Sequence, residues 1–290
     1  MHFPWVTPAF CCSIKRIRMI ELSDTEFQEM YPYIRSRYGV NLERKKYLME
    51  SKLWIELARS KSDTYAEYWK KLKNDETGRM ERRMMDLLTT NYTFFCREEQ
   101  HFDYLAKTIL PAVPPGRDKP FRIWSAGCAT GQECYTLAML LLDCTRSGAL
   151  RIPFSILGTD LSETAIAGAQ KALYQAADYA RLPQSWQTLY CENYQDGLFR
   201  VKEQVRACVA FQRQNLIGLP VMTPTYDVIF CRNVLIYFQD QERAVLLKRL
   251  SEALVPGGYL MVGHTESLIG IPNRLKYIQP AVYRKPEARA

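Results

Sequence analysis

The stretch Phe121-Arg122-Ile123-Trp124-Ser125-Ala126-Gly127-Cys128-Ala129-Thr130-Gly131-Gln132-Glu133 decides how this chain folds. Its first six residues read as a buried strand, and Glu133 to Leu142 as a helix. Two glycines lie in the connection, where the lack of a Cβ lets backbone pack closely against a ligand at the carboxyl edge of a sheet. No Gly-Lys-Ser/Thr follows, so this is not a phosphate loop, and the Gly-x-Gly-x-x-Gly spacing of a dinucleotide site is missing. A diphosphate ligand is disfavoured. Phe154-Ser155-Ile156-Leu157-Gly158-Thr159-Asp160 reads as a second strand and ends on an acid, where doubly wound folds hold ribose. A nucleoside without phosphates fits both features; the alternative is that Asp160 only caps the next helix.

Outward from this core, Tyr226 to Cys231 and Gly258 to Gly263 read as further strands, separated by a helix over Asp240 to Leu254. The alternation predicts an α/β fold with a doubly wound, Rossmann-like parallel sheet. It breaks between Tyr174 and Asn215, where Leu198 to Lys202 and Cys208 to Gln214 read as short strands around the turn Gln195-Asp196-Gly197. A small β-rich insertion over about 174–215 is expected. Upstream, Ser23-Asp24-Thr25-Glu26 is a capping box. Phe27, Met30, Tyr31, Ile34 and Tyr38 then recur at helical spacing up to Gly39, a natural terminator. Stripes at Tyr65, Tyr68, Trp69, Leu72 and at Met80, Met84, Leu87, Leu88 continue the pattern. An N-terminal helical domain over 19–88 and a second domain over 89–290 follow. Residues 1–18 show no period and are expected to be a loose tail, with Met19 as an alternative start.

The 290 residues include nine cysteines, at 11, 12, 96, 128, 134, 144, 191, 208 and 231, with no Cys-x-x-Cys pair, and three histidines with no ligand pair at helical spacing. No metal is expected from that spacing, and reduced thiols of a cytoplasmic protein are. No apolar run approaches the ~18–20 residues of a membrane-spanning helix. The apolar first residues carry Pro4 and Pro8 and precede their basic cluster, unlike a signal peptide. Of the net charge of +8, half arises between Lys15 and Asp86, where 17 basic and 13 acidic residues mix. Without a basic run interleaved with aromatics, nucleic acid is not the expected partner.

Four motifs, in order, carry a resemblance over about 270 residues. They are Leu88-Thr89-Thr90-Asn91-Tyr92-Thr93-Phe94-Phe95-Cys96-Arg97-Glu98; Trp124 through Glu133; Phe230-Cys231-Arg232-Asn233-Val234-Leu235-Ile236-Tyr237-Phe238; and Pro256-Gly257-Gly258-Tyr259 through Gly263-His264-Thr265-Glu266-Ser267. The chain resembles the CheR family of chemotaxis receptor methyltransferases, the type IV pilus member among them. The resemblance implies S-adenosylmethionine as cofactor, S-adenosylhomocysteine as product, and glutamate side chains on the cytoplasmic helical bundle of a methyl-accepting chemoreceptor as acceptors, for adaptation in chemotaxis or twitching motility. It implies a monomer that does not insert in the membrane. Asn91, Thr93, Arg97, Gly127, Glu133, Asp160, Asn215, Leu216, Arg232 and Asn233 match positions around the cofactor, and Arg97 and Tyr237 face the reacting centre. Two departures stand out. Gln132 replaces the first acid of the family's Gly-Glu-Glu-Pro, which is expected to reduce the charge near the methionine ammonium, and Cys134 replaces its proline.

Chemistry read from the residues agrees with that function. Methyl transfer from a sulfonium to a carboxylate joins a cation and an anion into neutral products, and the carboxylate is already ionised near neutral pH, so no general base is required. Arg97 is suited to steer a carboxylate, although it could equally pair with Glu98. The Asn/Asp-Pro-Pro-aromatic element of amino-methylating DNA enzymes is absent at Arg232-Asn233-Val234-Leu235. A receptor-binding module without turnover is the other reading. Arg44-Lys45-Lys46 and Arg82-Arg83 are candidates for docking the acidic receptor. The short segment from Tyr190 to Phe199 predicts recognition without a detached C-terminal receptor peptide, with Leu198 to Lys202 as the edge strand such a peptide would need.

Overall fold

Ser23 opens the first helix as its sequence requires: its hydroxyl accepts the Glu26 amide at 3.2 Å, and the Glu26 carboxylate accepts the Ser23 amide at 2.9 Å. This computed structural model describes residues 20–220 and 225–287, so the tail 1–18, Met19 and the thiols Cys11 and Cys12 lie outside the described residues. Helix α1 (Asp24–Tyr38) ends at Gly39, whose left-handed backbone lets its amide reach the Arg35 carbonyl. Helices α2 (Lys46–Ser60), α3 (Tyr65–Lys73) and α4 (Arg79–Leu88) follow. Their stripes meet in one core of Met30, Ile34, Leu53, Leu57, Tyr68 and Met84, each fully buried. At ~1.5–3 kcal/mol per large side chain, that burial holds the helices together.

After a connecting segment, α5 (Gln100–Tyr104) runs on through a wide turn over Leu105–Ile109. The strands are β1 (Phe121–Ala126), β2 (Phe154–Asp160), β3 (Leu173–Gln175), β4 (Cys191–Asn193), β5 (Leu198–Val201), β6 (Val209–Arg213), β7 (Tyr226–Cys231), β8 (Leu254–Val262), β9 (Lys276–Gln279) and β10 (Val282–Arg284). Between them run α6 (Gln132–Arg146), α7 (Glu163–Lys171), α8 (Ala176–Tyr179), α9 (Gln184–Tyr190), α10 (Glu203–Arg206) and α11 (Asp240–Ala253). The main sheet has the order β6-β2-β1-β7-β8-β10-β9. Five strands are parallel, and β10 is antiparallel to both of its neighbours. The fold is the expected doubly wound sheet, made mixed by a C-terminal hairpin in which β9 is largely exposed while Val282 and Tyr283 of β10 are buried. Helix α6 packs on one face through Leu137 and Leu141, and α11 on the other through Leu246, Leu247 and Leu250. Trp124 of β1 is fully buried and satisfies its N–H internally: the indole donates to Thr159 Oγ1 at 2.9 Å.

Two expectations are corrected here. The strand expected over Cys208 to Gln214 belongs not to the β-rich insertion but to the main sheet, as β6 alongside β2, with Ile156 opposite Val209. Its half-polar pattern is that of an edge strand, and sequence alone does not reveal which sheet an edge strand joins. The small antiparallel sheet has the order β3-β5-β4. Leu198 to Val201 is therefore its middle strand, flanked on both sides, and has no free edge for a peptide; the edges are β3 and β4. Among the described residues, no helix is long and apolar enough to cross a membrane.

The helical unit sits against the carboxyl edge of the main sheet. Asn41 donates its amide to the Tyr237 carbonyl at 3.0 Å, Arg82 pairs with Glu163 on α7, and Thr164 donates its hydroxyl to Asp86. A Cβ on Gly39 would lie 2.5 Å from the Phe238 ring. Gly39→Ala therefore adds a steric clash to a left-handed cost of about 1–2 kcal/mol. We expect a stability loss above that range by urea denaturation, partly recovered when Phe238 is cut to leucine; a loss of the left-handed cost alone would mean the close approach is unimportant.

Candidate active site

At the end of β1 the chain turns sharply over β2, because the amides of Gly127 and Cys128 both donate to the Thr159 carbonyl, at 2.7 and 2.9 Å. Gly127 has φ +93°, and a Cβ there would stand 2.3 Å from Val234 Cγ2, so only glycine lets this loop meet the one after β7. This is the point where strand order reverses about β1, and it is where open α/β sheets bind ligands. A cavity of about 390 Å³ opens there, within the ~300–1,000 Å³ typical of small-molecule sites.

Asp160 stands at the end of β2. Its two oxygens accept the amides of Ala129 and Ser162, each at 2.9 Å. Burial pushes its pKa above the ordinary carboxylate value against the pull of those amides. The helix-cap alternative fails: Ser162 caps α7, accepting the Ala165 amide at 3.0 Å. Asp160 instead ties the glycine loop to β2 and borders the cavity.

Arg232, at the end of β7, is buried and fully engaged. Its guanidinium meets Glu133 Oε2 at 2.9 Å and Glu98 Oε2 at 3.3 Å, and donates to the Arg97 carbonyl. Glu133, in the first turn of α6, also accepts the Ser125 hydroxyl at 2.7 Å. Burial works to raise the Glu98 carboxyl, but the charge of Arg232, followed by His264, holds it below the usual range. Arg97 behaves oppositely. Its guanidinium donates to the Tyr92 carbonyl at 3.2 Å and lies 5.7 Å from the Phe94 ring centre. Among the described residues it pairs with no carboxylate, Glu98 included.

Asn233 has φ +59°, and the loop from it to Tyr237 is held by one buried acid. Glu266 accepts the amides of Gly263, Asn233 and Ile236 at 2.6, 2.8 and 3.2 Å. Asn215 reaches the helical unit, donating its side-chain amide to the Arg37 carbonyl at 2.8 Å, and Leu216 beside it is buried.

The residues matched to the cofactor and the reacting centre all border this cavity: Asn91, Thr93 and Arg97 from the connecting segment, Gly127 and Glu133 from the loop, Asp160, Asn215, Leu216, Arg232, Asn233 and Tyr237. Glu98, and Tyr38, Val40 and Leu88 of the helical unit, also line it and escaped the sequence reading. The core spacing of Tyr38 and Leu88 reads as helix packing and hides their second exposure. Gln132 accepts from the Thr130 hydroxyl at 2.7 Å and is buried behind the loop, outside the cavity lining. Cys134 is likewise buried beneath the loop.

The lining suits a nucleoside sulfonium. Leu88, Val40 and Leu216 offer apolar wall, Asp160 and Glu133 offer acceptors, and Arg232, one of the two arginines in the lining, is paired with carboxylates.

Comparisons with known proteins agree. Residues 91–283 match the family described as CheR methyltransferase, SAM binding domain, and residues 25–89 match CheR methyltransferase, all-alpha domain. The chain is 34% identical over 273 residues to a chemotaxis protein methyltransferase of Borreliella burgdorferi, covering 92% of this chain and 96% of that protein. It is 30% identical to the Vibrio anguillarum protein of that name, covering 90% and 95%, and 27% identical to that of Salmonella typhimurium, covering 96% of each.

Asp160→Ala is expected to weaken S-adenosylmethionine binding, through any ribose bond of ~0.5–1.5 kcal/mol or more and through the freed Ala129 amide. Calorimetry returning the wild-type affinity would remove Asp160 from the binding set.

Proposed function

Because this chain belongs to the CheR methyltransferase family, we propose that it methylates glutamate side chains on the helical bundle of a chemoreceptor in the cytoplasm, acting as a monomer and forming glutamyl methyl esters and S-adenosylhomocysteine. Bound S-adenosylmethionine supplies a methyl group on a positively charged sulfur. The protein's part is to bind, orient and dry the reacting groups. Asp160 is assigned the ribose hydroxyls, and the Glu133 carboxylate, already shared with Arg232, the cationic end of the cofactor. Asn91, Thr93, Asn215, Leu216 and Asn233 complete the enclosure.

One observation carries the assignment of the acceptor: of the two arginines at the cavity, Arg232 is consumed by carboxylates and Arg97 is not. A cation beside the cofactor cavity with donors to spare suits an incoming carboxylate, which it can hold by charge-assisted hydrogen bonds. Tyr237 is assigned the alignment of the acceptor oxygen. Alignment of this kind contributes on the order of 7–11 kcal/mol in well-oriented reactions, and no proton has to be removed from an ionised glutamate. The alternative, a receptor-binding module without turnover, rested on Gln132 and Cys134. Both lie behind the loop rather than in the cavity, which favours an active enzyme.

Arg97→Ala is expected to lower methyl transfer to receptor by about a hundredfold or more, the scale of one lost oriented charge contact, with the melting temperature little changed because its own bonds are few. Base-labile tritium counts measure the ester. Equal losses of activity and stability would assign Arg97 a structural role.

For the receptor, the two basic clusters part company. Arg82 is held by Glu163 and Lys46 by Asp24, whereas Arg44 and Lys45 are exposed. Reversing Arg44 and Lys45 to glutamate should raise the apparent KM for receptor and flatten its salt dependence, since screening acts mainly on exposed charges. An unaltered salt profile would exclude this face from docking.

A further inference from the structure

We propose that Glu98, His101 and His264 form a site for a single transition-metal dication of the zinc, cobalt or copper class, and that its occupation weakens cofactor binding. One ligand atom from each of the three residues lies within 4.8 Å of the other two. Glu98 and His101 are three residues apart at the start of α5, and His264 comes from the loop after β8, so the trio is assembled only by the fold. His101 is 1% exposed, and neither of its ring nitrogens has a hydrogen-bond partner. Its Nδ1 stands 3.6 Å from Glu98 Oε2, too far for a normal hydrogen bond. An unpartnered buried imidazole is costly unless something accepts its lone pair. Glu98 is itself held at φ +54°, a strained backbone of the kind found at working sites.

The donors select the ion. Two imidazoles and one carboxylate suit the later first-row dications rather than magnesium or calcium, which favour oxygen. Tetrahedral ligands about 2.0–2.1 Å from zinc stand roughly 3.4 Å apart, so the trio must close further. His264 is exposed, with its ring centre 4.8 Å from that of His101, and it supplies both the movement and the entry path.

Coupling to the cofactor follows from the other side of Glu98. The carboxylate that would meet the metal is the one that holds Arg232 at 3.3 Å and accepts the Asn233 amide at 3.4 Å, and both of these residues border the cofactor cavity. A dication on Glu98 would compete with Arg232 for the same oxygens and repel its guanidinium. The cavity wall then loses its brace.

The test titrates the full chain with CoCl2, followed by visible absorption, and with ZnCl2 by calorimetry, using MgCl2 as control. We expect one equivalent of cobalt, displaced by zinc and not by magnesium. We also expect S-adenosylhomocysteine affinity to fall about tenfold in saturating zinc and to recover with chelator. His264→Ala removes an exposed ring and should lower metal affinity by about tenfold or more, with unchanged melting temperature and unchanged metal-free affinity for S-adenosylhomocysteine. His101→Phe, which fills the same space without a ligand, should do the same to metal affinity. Absence of one-equivalent binding, wild-type metal affinity in both variants, or zinc that binds without altering S-adenosylhomocysteine affinity would each overturn the proposal. None of these readouts requires methyl transfer to a receptor, so they stand apart from the test of the acceptor.

Discussion

The buried guanidinium of Arg232 is the interaction on which the cavity depends. A charge withdrawn from water is tolerable only when paired, and this one is shared between Glu133 and Glu98, with a further bond to the Arg97 carbonyl. Those partners come from the first turn of α6 and from the segment that follows the helical unit, while Arg232 itself ends β7. Three parts of the chain more than a hundred residues apart in the extreme are therefore locked in one arrangement. Removing one partner from such a set typically costs ~3–5 kcal/mol, because the charges left behind cannot escape to solvent. The Arg97 side chain takes no part in that lock, and among the described residues it pairs with no carboxylate.

A second constraint is the seating of the helical unit. Gly39 ends α1 and also lets Phe238 approach, so one residue serves a local and a long-range purpose. The bonds from Asn41 to Tyr237 and from Asn215 to Arg37 cross between the units at the cavity itself. The helical unit consequently forms one wall of the cavity through Tyr38, Val40 and Leu88.

Legibility in the sequence varied with the range of the interaction behind each feature. Strands β1, β2 and β7 were readable to the residue, since each carries a central apolar run that the sheet buries, bounded by polar residues. The capping box and Gly39 were readable because their bonds close within four residues. The hairpin of β9 and β10 was not, because β9 is largely exposed and β10 is only three residues long, and the membership of β6 was not, because an edge strand owes its place to a partner distant in sequence. The cavity residues could be singled out by motif, whereas the burial of Gln132 behind the loop appeared only in the structure.

By itself, then, the sequence determined the kind of fold, the family, and which residues could meet a nucleoside cofactor, because periodicity, caps and ordered motifs are local and additive. Only the tertiary structure decided which arginine is spent and which is left, that Ser162 rather than Asp160 caps α7, and that Glu98, His101 and His264 share one corner. Those outcomes depend on burial and on pairing between distant segments. A charge finds its partner by geometry in space, and spacing along the chain carries no record of it.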